Sequence, residues 1–183
     1  MTGIRRGPAR NGHNAACAWR VAGGVLAATS ISLIARRARA LSRGGAVAAA
    51  AAGTLALSGV GFHGGAALVA FFASSTLLGR LPGKTILEQR RGNERDAVQV
   101  LANGGVAALL ALASAVGPPR ARPLFHAGFA GAVAAAAADT WATEIGSRSR
   151  RQTRSIVTLQ PVPPGVSGGV TWAGIAASAA GAT

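Results

Sequence analysis

Tyrosine is missing from this chain, cysteine and methionine occur once each, and five acidic residues stand against nineteen basic ones in 183. The lone Cys17 excludes an internal disulfide, and no Cys/His spacing suits zinc, with His13, His63 and His126 scattered. Charged residues make up only 13% of the chain and hydrophobic ones 50%, in long unbroken blocks; residues 44–79 carry no formal charge. Soluble packing does not account for such blocks, so the chain reads as an integral membrane protein. A pI near 12 invites a nucleic-acid partner, but the arginines lie between apolar blocks rather than along one polar face. No nucleic acid is expected; the partner is the lipid bilayer, across which basic loops set orientation.

Residues 1–20 carry Arg5, Arg6, Arg10 and Arg20 among Gly, Pro and Asn and read as a disordered basic tail. Residues 21–183 read as one transmembrane helical domain. Its first apolar run, 21–35, is short for a span and, after a basic tail, also describes a signal peptide. Arg36-Arg37-Ala38-Arg39 occupies the place where small residues should mark cleavage, so a retained first helix is expected. The cluster Gly59-Val60-Gly61-Phe62-His63-Gly64-Gly65 divides the next block into helices at 44–59 and 65–79. Further helices are expected at 97–117, stopped by Pro118-Pro119, at 124–147 and at 166–183. The fold class is therefore all-α, a polytopic bundle of about six helices.

The loops 36–43, 80–96 and 148–154 hold four, five and four basic residues; the tail and the 118–122 loop hold four and two. That asymmetry puts the first three in the cytosol and the N-terminus outside. The expected location is a bacterial-type plasma membrane, or a plastid membrane in a eukaryote.

The chemistry concentrates in Ala138-Asp139-Thr140-Trp141-Ala142-Thr143-Glu144-Ile145-Gly146, at the end of an apolar run and just before Arg148-Ser149-Arg150-Arg151. A carboxylate inside a membrane-length apolar segment is costly and marks a candidate functional site. The bland alternative is an aspartate that caps a helix or pairs with Arg148. Asp139 and Thr143 share a helix face, whereas Asp139 and Glu144 diverge by about 140°, which disfavours a tight two-carboxylate site on an unbroken helix.

A second polar feature is Arg95, Gln99 and Asn103, at i, i+4 and i+8, a stripe entering the membrane from the cytosolic loop. It lines a watery cavity or only holds helices together by hydrogen bonds. Third, Pro161 to Thr171 is a Pro/Gly-rich entry to the last helix, where Gly165, Gly168 and Gly169 could expose backbone N–H groups to an anion. Gly79-Arg80-Leu81-Pro82-Gly83-Lys84-Thr85 is not a phosphate-binding P-loop: only three residues separate its glycines and no core strand precedes it. Lys84 could still meet a phosphate as a point charge.

The motifs around Asp139, the run Gln99-Val100-Leu101-Ala102-Asn103-Gly104-Gly105 and the run Gly165-Val166-Ser167-Gly168-Gly169-Val170-Thr171 come in the order seen in one integral-membrane family. The chain from about residue 41 resembles the domain-of-unknown-function family ninety-two, which includes the plant plastid phytyl-phosphate kinases. The spacing Asp139-x-x-Ala142-x-x-x-Gly146 is more distantly similar to CTP-dependent phytol and dolichol kinases. The resemblance implies transfer of a γ-phosphoryl group from CTP or ATP to an isoprenyl or phytyl monophosphate. On that reading Asp139, assisted by Glu144, is the catalytic group and Mg²⁺ ligand. Arg154 and Gly165, Gly168 and Gly169 would hold phosphates, while Arg95, Gln99, Asn103 and Thr143 complete the site. Against the family's pattern the chain is expected to be C-terminally shortened, lacking a further Asp-containing segment. The rival reading is a small membrane transporter or lipid-handling protein without catalysis; a homo-oligomer is compatible with either.

Overall fold

The computed structural model describes residues 9–82, 94–149 and 152–183. Six helices run through them: α1 (Ala9–Arg37), α2 (Arg43–Gly59), α3 (Phe62–Arg80), α4 (Ala97–Val116), α5 (Arg122–Gly146) and α6 (Trp172–Gly181). A 3₁₀ turn, Pro119–Ala121, leads into α5, and two short antiparallel strands, β1 (Arg154–Ser155) and β2 (Gly169–Val170), lie between α5 and α6.

The helix ends follow local chemistry. Ser42 caps α2 by accepting from the Gly45 N–H at 3.1 Å, and Thr171 caps α6 by accepting from the Gly174 N–H at 3.1 Å. Asp96 and Gln99 close a reciprocal capping box at the start of α4, their two bonds 2.8 and 3.2 Å long. The reversal between α2 and α3 turns on Gly61 at φ +89°, a conformation that L side chains rarely adopt.

α2 is central, packing against α1, α3 and α4; α5 packs against α3, α4 and α6. The core where α2, α4 and α5 meet is Ala56, Ala107, Ala111, Phe129 and Val133, with Leu68 and Phe71 of α3 beside it. In lipid there is little hydrophobic drive between helices, so alanines that let backbones approach closely supply the packing contacts. Outward, Leu26, Ile34, Leu77, Val98 and Leu109 are exposed, an apolar surface suited to acyl chains.

The bundle has two chemically different ends. At one, the Ser114 hydroxyl donates to the Gly59 carbonyl at 3.0 Å and lies 2.9 Å from His126 Nε2, joining α2, α4 and α5. At the other, the Arg80 guanidinium donates to the Ala38 carbonyl at 2.6 Å, and the Arg148 guanidinium to the Leu81 carbonyl at 3.2 Å. The Arg95 N–H donates to the Ala40 carbonyl and the Ser42 N–H to the Arg95 carbonyl, both at 3.0 Å. All three arginine-rich loops that charge asymmetry assigns to the cytosol thus meet at one end.

Three helical stretches are long and apolar enough to cross a membrane, Ala18–Arg37, Phe62–Arg80 and Ala97–Val116. The sequence expectation of a helical membrane bundle stands, with two corrections. α1 begins at Ala9, inside the stretch read as a disordered tail; an alanine-rich segment without proline after Pro8 carries the helix N-terminally. The last helix starts at Trp172 rather than 166, because Gly169 and Val170 are committed to the strand pair. Its ten residues rise roughly 15 Å, half of a ~30 Å hydrocarbon core. The P-loop reading fails on context as well, since Gly79 and Arg80 close a helix; Lys84 lies outside the described residues.

Candidate functional site

Arg95 is fixed before its side chain is considered. Its backbone bonds to Ala40 and Ser42 form a parallel bridge opposite Leu41, which clips the entry of α4 to the α1–α2 reversal. The clip requires Gly45: a Cβ there would stand 2.1 Å from the Arg95 carbonyl oxygen. Gly45→Ala is therefore expected to destabilise the folded chain by about 1–3 kcal/mol, the usual range for overpacking, read as a lowered melting temperature in detergent. An unchanged melting temperature would show that the clip yields freely.

From that position the Arg95 guanidinium carbon lies 5.8 Å from the centroid of the Phe72 ring, in cation–π range. Burial lowers the Arg95 pKa from its ordinary value, and the carboxylate of Glu144 opposes that shift by favouring the charged form. Glu144 also accepts from Arg148 in an i,i+4 ion pair of 2.9 Å, and the Arg148 guanidinium donates to the Glu144 carbonyl as well. One carboxylate thus serves two guanidinium groups from different loops.

Arg95, Gln99 and Asn103 all line one cavity of about 440 Å³ between α1, α2, α3 and α4. Apart from these three and Ser32, the lining is apolar, with Ile31, Leu57, Val69 and Phe71 among it. Along α3 it extends from Phe62 to Phe72, roughly 15 Å of helix. The Arg95 end lies at the basic end of the bundle, so the cavity is an apolar slot with a polar, cationic mouth. Gln99 has a second duty there as half of the capping box, a signal visible in the spacing Asp96-x-x-Gln99.

The remaining expected site residues fall in two other places. Asp139 and Thr143 are exposed on α5, do not line the cavity, and the Asp139 side chain has no hydrogen bond or ion pair among the described residues. Glu144 is paired with Arg148, and among the described residues no group of three metal-ligating side chains occurs. Of these two acids, Asp139 is the one whose side chain has no hydrogen bond or ion pair among the described residues.

Arg154, Gly165, Gly168 and Gly169 belong to the hairpin. Arg154 pairs with Val170, and Ser155 with Gly169, while the Arg154 guanidinium donates to the Leu159 carbonyl at 2.9 Å. Gly165 and Gly168 take φ +86° and +76° in the turns. The expectation that this glycine turn opens the last helix is corrected: β2 and Thr171 intervene, and it is Thr171 that caps α6. α6 itself is held against α5 where Gly146 meets Gly174 at close range.

Residues 26–183 match the family described as integral membrane protein DUF92. This chain belongs to that family. It is 34% identical over 139 residues to Protein PGR of Arabidopsis thaliana, covering 67% of this chain and 48% of that protein. It is 31% identical over 136 residues to an uncharacterised membrane protein of Synechocystis, covering 70% of this chain and 53% of the relative. An uncharacterised membrane protein of Methanocaldococcus jannaschii is 29% identical over 157 residues, 83% of this chain and 63% of its own length. The chain thus spans about half to two thirds of the relatives it matches. No solved structure matches. As a DUF92 member the chain is a multi-pass integral membrane protein, in agreement with the apolar helices described above.

Proposed function

We propose that this DUF92 member phosphorylates an isoprenyl or phytyl monophosphate, with CTP or ATP as donor. The observation that carries the reading is the apolar slot ending at Arg95, Gln99 and Asn103. A slot of this kind suits an amphiphile with an unbranched or methyl-branched tail and an anionic head. The tail would lie among α1–α4 and its phosphate would meet Arg95, whose planar guanidinium suits bidentate phosphate contact. In the reaction a phosphate oxygen of the lipid attacks the γ-phosphorus of the nucleotide. The bond to the β–γ bridging oxygen breaks, leaving a lipid diphosphate and a nucleoside diphosphate. Mg²⁺ would arrive on the nucleotide phosphates and neutralise their charge, with Asp139 as the protein carboxylate offered to it.

The exposure of Asp139 away from the slot favours a second reading, a lipid-handling membrane protein without catalysis. One assay decides between them. The full chain in detergent is given γ-labelled CTP or ATP, Mg²⁺ and phytyl or geranylgeranyl monophosphate. Labelled lipid diphosphate is the expected product, reduced at least tenfold by Arg95→Gln. Binding of the lipid phosphate without label transfer from either nucleotide would sink the kinase reading and leave the lipid-handling one.

A further inference from the structure

A second cavity, of about 600 Å³, opens at the same end of the bundle and is lined by Leu33, Arg36, Arg37, Arg39, Leu41, Ser42, Arg43 and Glu94. We propose that the cleft walled by Arg36, Arg37, Arg39 and Arg43 is a phosphate-binding site, taking the phosphates of a soluble nucleotide or of an anionic lipid headgroup.

The cleft is made by the way the chain reverses between α1 and α2. The Arg39 N–H donates to the Arg36 carbonyl and the Ala40 N–H to the Ala35 carbonyl, both at 2.9 Å, ending α1 in a tight cap. Arg39 takes the left-handed position of that cap at φ +55°, where glycine is the usual occupant. The reversal brings the three arginines at the end of α1 against Arg43 in the first turn of α2, whose Ser42 cap also lines the cleft. Arg36 and Arg37 do have an ordinary task, since cations favour a helix C-terminus. That task does not account for Arg39 and Arg43, the latter at a helix N-terminus, where a cation is unfavourable; membrane orientation accounts for a basic loop here but not for the convergence of all four on one cleft.

The charge balance points to an anion. Four arginines line one cleft with a single acidic residue, Glu94, and among the described residues none of the four is in an ion pair or a side-chain hydrogen bond. A bound polyanion would offset this local excess of positive charge, and fork-shaped donors match phosphate oxygens. The start of α2 adds the positive end of its dipole. Position strengthens the case: Leu41, only 1% exposed, lines both this cleft and the apolar slot, and its backbone is bridged to Arg95. A phosphate in the cleft therefore sits one residue's thickness from the mouth of the slot. The site is independent of phosphoryl transfer, because it is read by binding and not by turnover.

The test uses the full chain in nanodiscs. Inorganic pyrophosphate is titrated into discs of pure phosphatidylcholine by calorimetry, and retention of phosphatidylglycerol from mixed discs is measured by native mass spectrometry. Arg37→Gln/Arg39→Gln and the single variant Arg43→Gln are compared with Arg120→Gln/Arg122→Gln in the loop before α5. The double variant is expected to weaken anion binding at least about tenfold, as for loss of charge-assisted hydrogen bonds, and Arg43→Gln to a lesser degree. The Arg120/Arg122 control is expected to leave binding unchanged. Loss of pyrophosphate binding identifies a soluble phosphate as the ligand; loss of phosphatidylglycerol retention alone identifies a lipid headgroup. Binding of neither probe by the parent chain, or equal binding by the cleft and control variants, would overturn the proposal.

Discussion

Glu144→Ala is expected to be among the most destabilising single changes at the basic end of the bundle, lowering stability by about 2 kcal/mol. Breaking a buried ion pair costs about 3–5 kcal/mol, because the remaining charge is left uncompensated. Here the Arg148 and Glu144 side chains are 13% and 21% exposed, so solvent reduces that cost. A second guanidinium raises it again: the Glu144 carboxylate also supports the charge on Arg95, which burial disfavours. The Nε of Arg148 is already buried without a hydrogen-bond partner, leaving that side chain little freedom to compensate. Thermal melting in detergent measures the effect. A double-mutant cycle with Arg148→Ala should return a coupling energy smaller than the Glu144 effect, the difference belonging to Arg95. Equal values would mean that Arg95 draws nothing from Glu144, and an unchanged melting temperature that the pair is ornamental.

That prediction assigns Glu144 a structural role where the sequence had cast it beside Asp139, yet the separation itself was legible. Five positions on a helix turn the two carboxylates well apart, and the structure leaves Glu144 among arginines and Asp139 exposed. The stripe Arg95, Gln99 and Asn103 was equally legible, since i, i+4, i+8 spacing puts polar groups on one face and all three line the slot. Helix number was readable because glycine and proline interrupt apolar blocks at 59–65 and 118–119.

What was not legible depends on contacts between segments far apart in the chain. Nothing local predicts that Ala40 and Ser42 pair with Arg95, or that Trp141 donates from its indole to Ser74 at 3.3 Å. The hairpin of β1 and β2 escaped for a different reason. Its strands are two residues long and its proline-rich connection lacks the alternation by which strands are recognised. The arginine run at 36–39 is visible in the sequence, where membrane topology accounts for it; its cleft appears only once the chain reverses onto Arg43.

Asp139→Asn is expected to reduce transfer of label from nucleotide to lipid by about 10²–10³-fold, the scale on which removing one electrostatic partner of a transition state is felt. The same variant should leave the melting temperature where it is, since the Asp139 side chain has no hydrogen bond or ion pair among the described residues and the residue is exposed. The replacement keeps the shape and removes the charge, so lost activity with intact folding isolates the carboxylate. Asp139→Leu sharpens the argument. A carboxylate seven residues from the C-terminal, arginine-flanked end of α5 stands roughly 10 Å into the helix from that end, where an exposed acid in lipid is unfavourable. Leucine should therefore raise stability by about 1–2 kcal/mol while abolishing transfer. A residue kept only for packing or capping would show the opposite, lower stability with either substitution. If instead both variants transfer label within about threefold of the parent chain, Asp139 has no part in the chemistry.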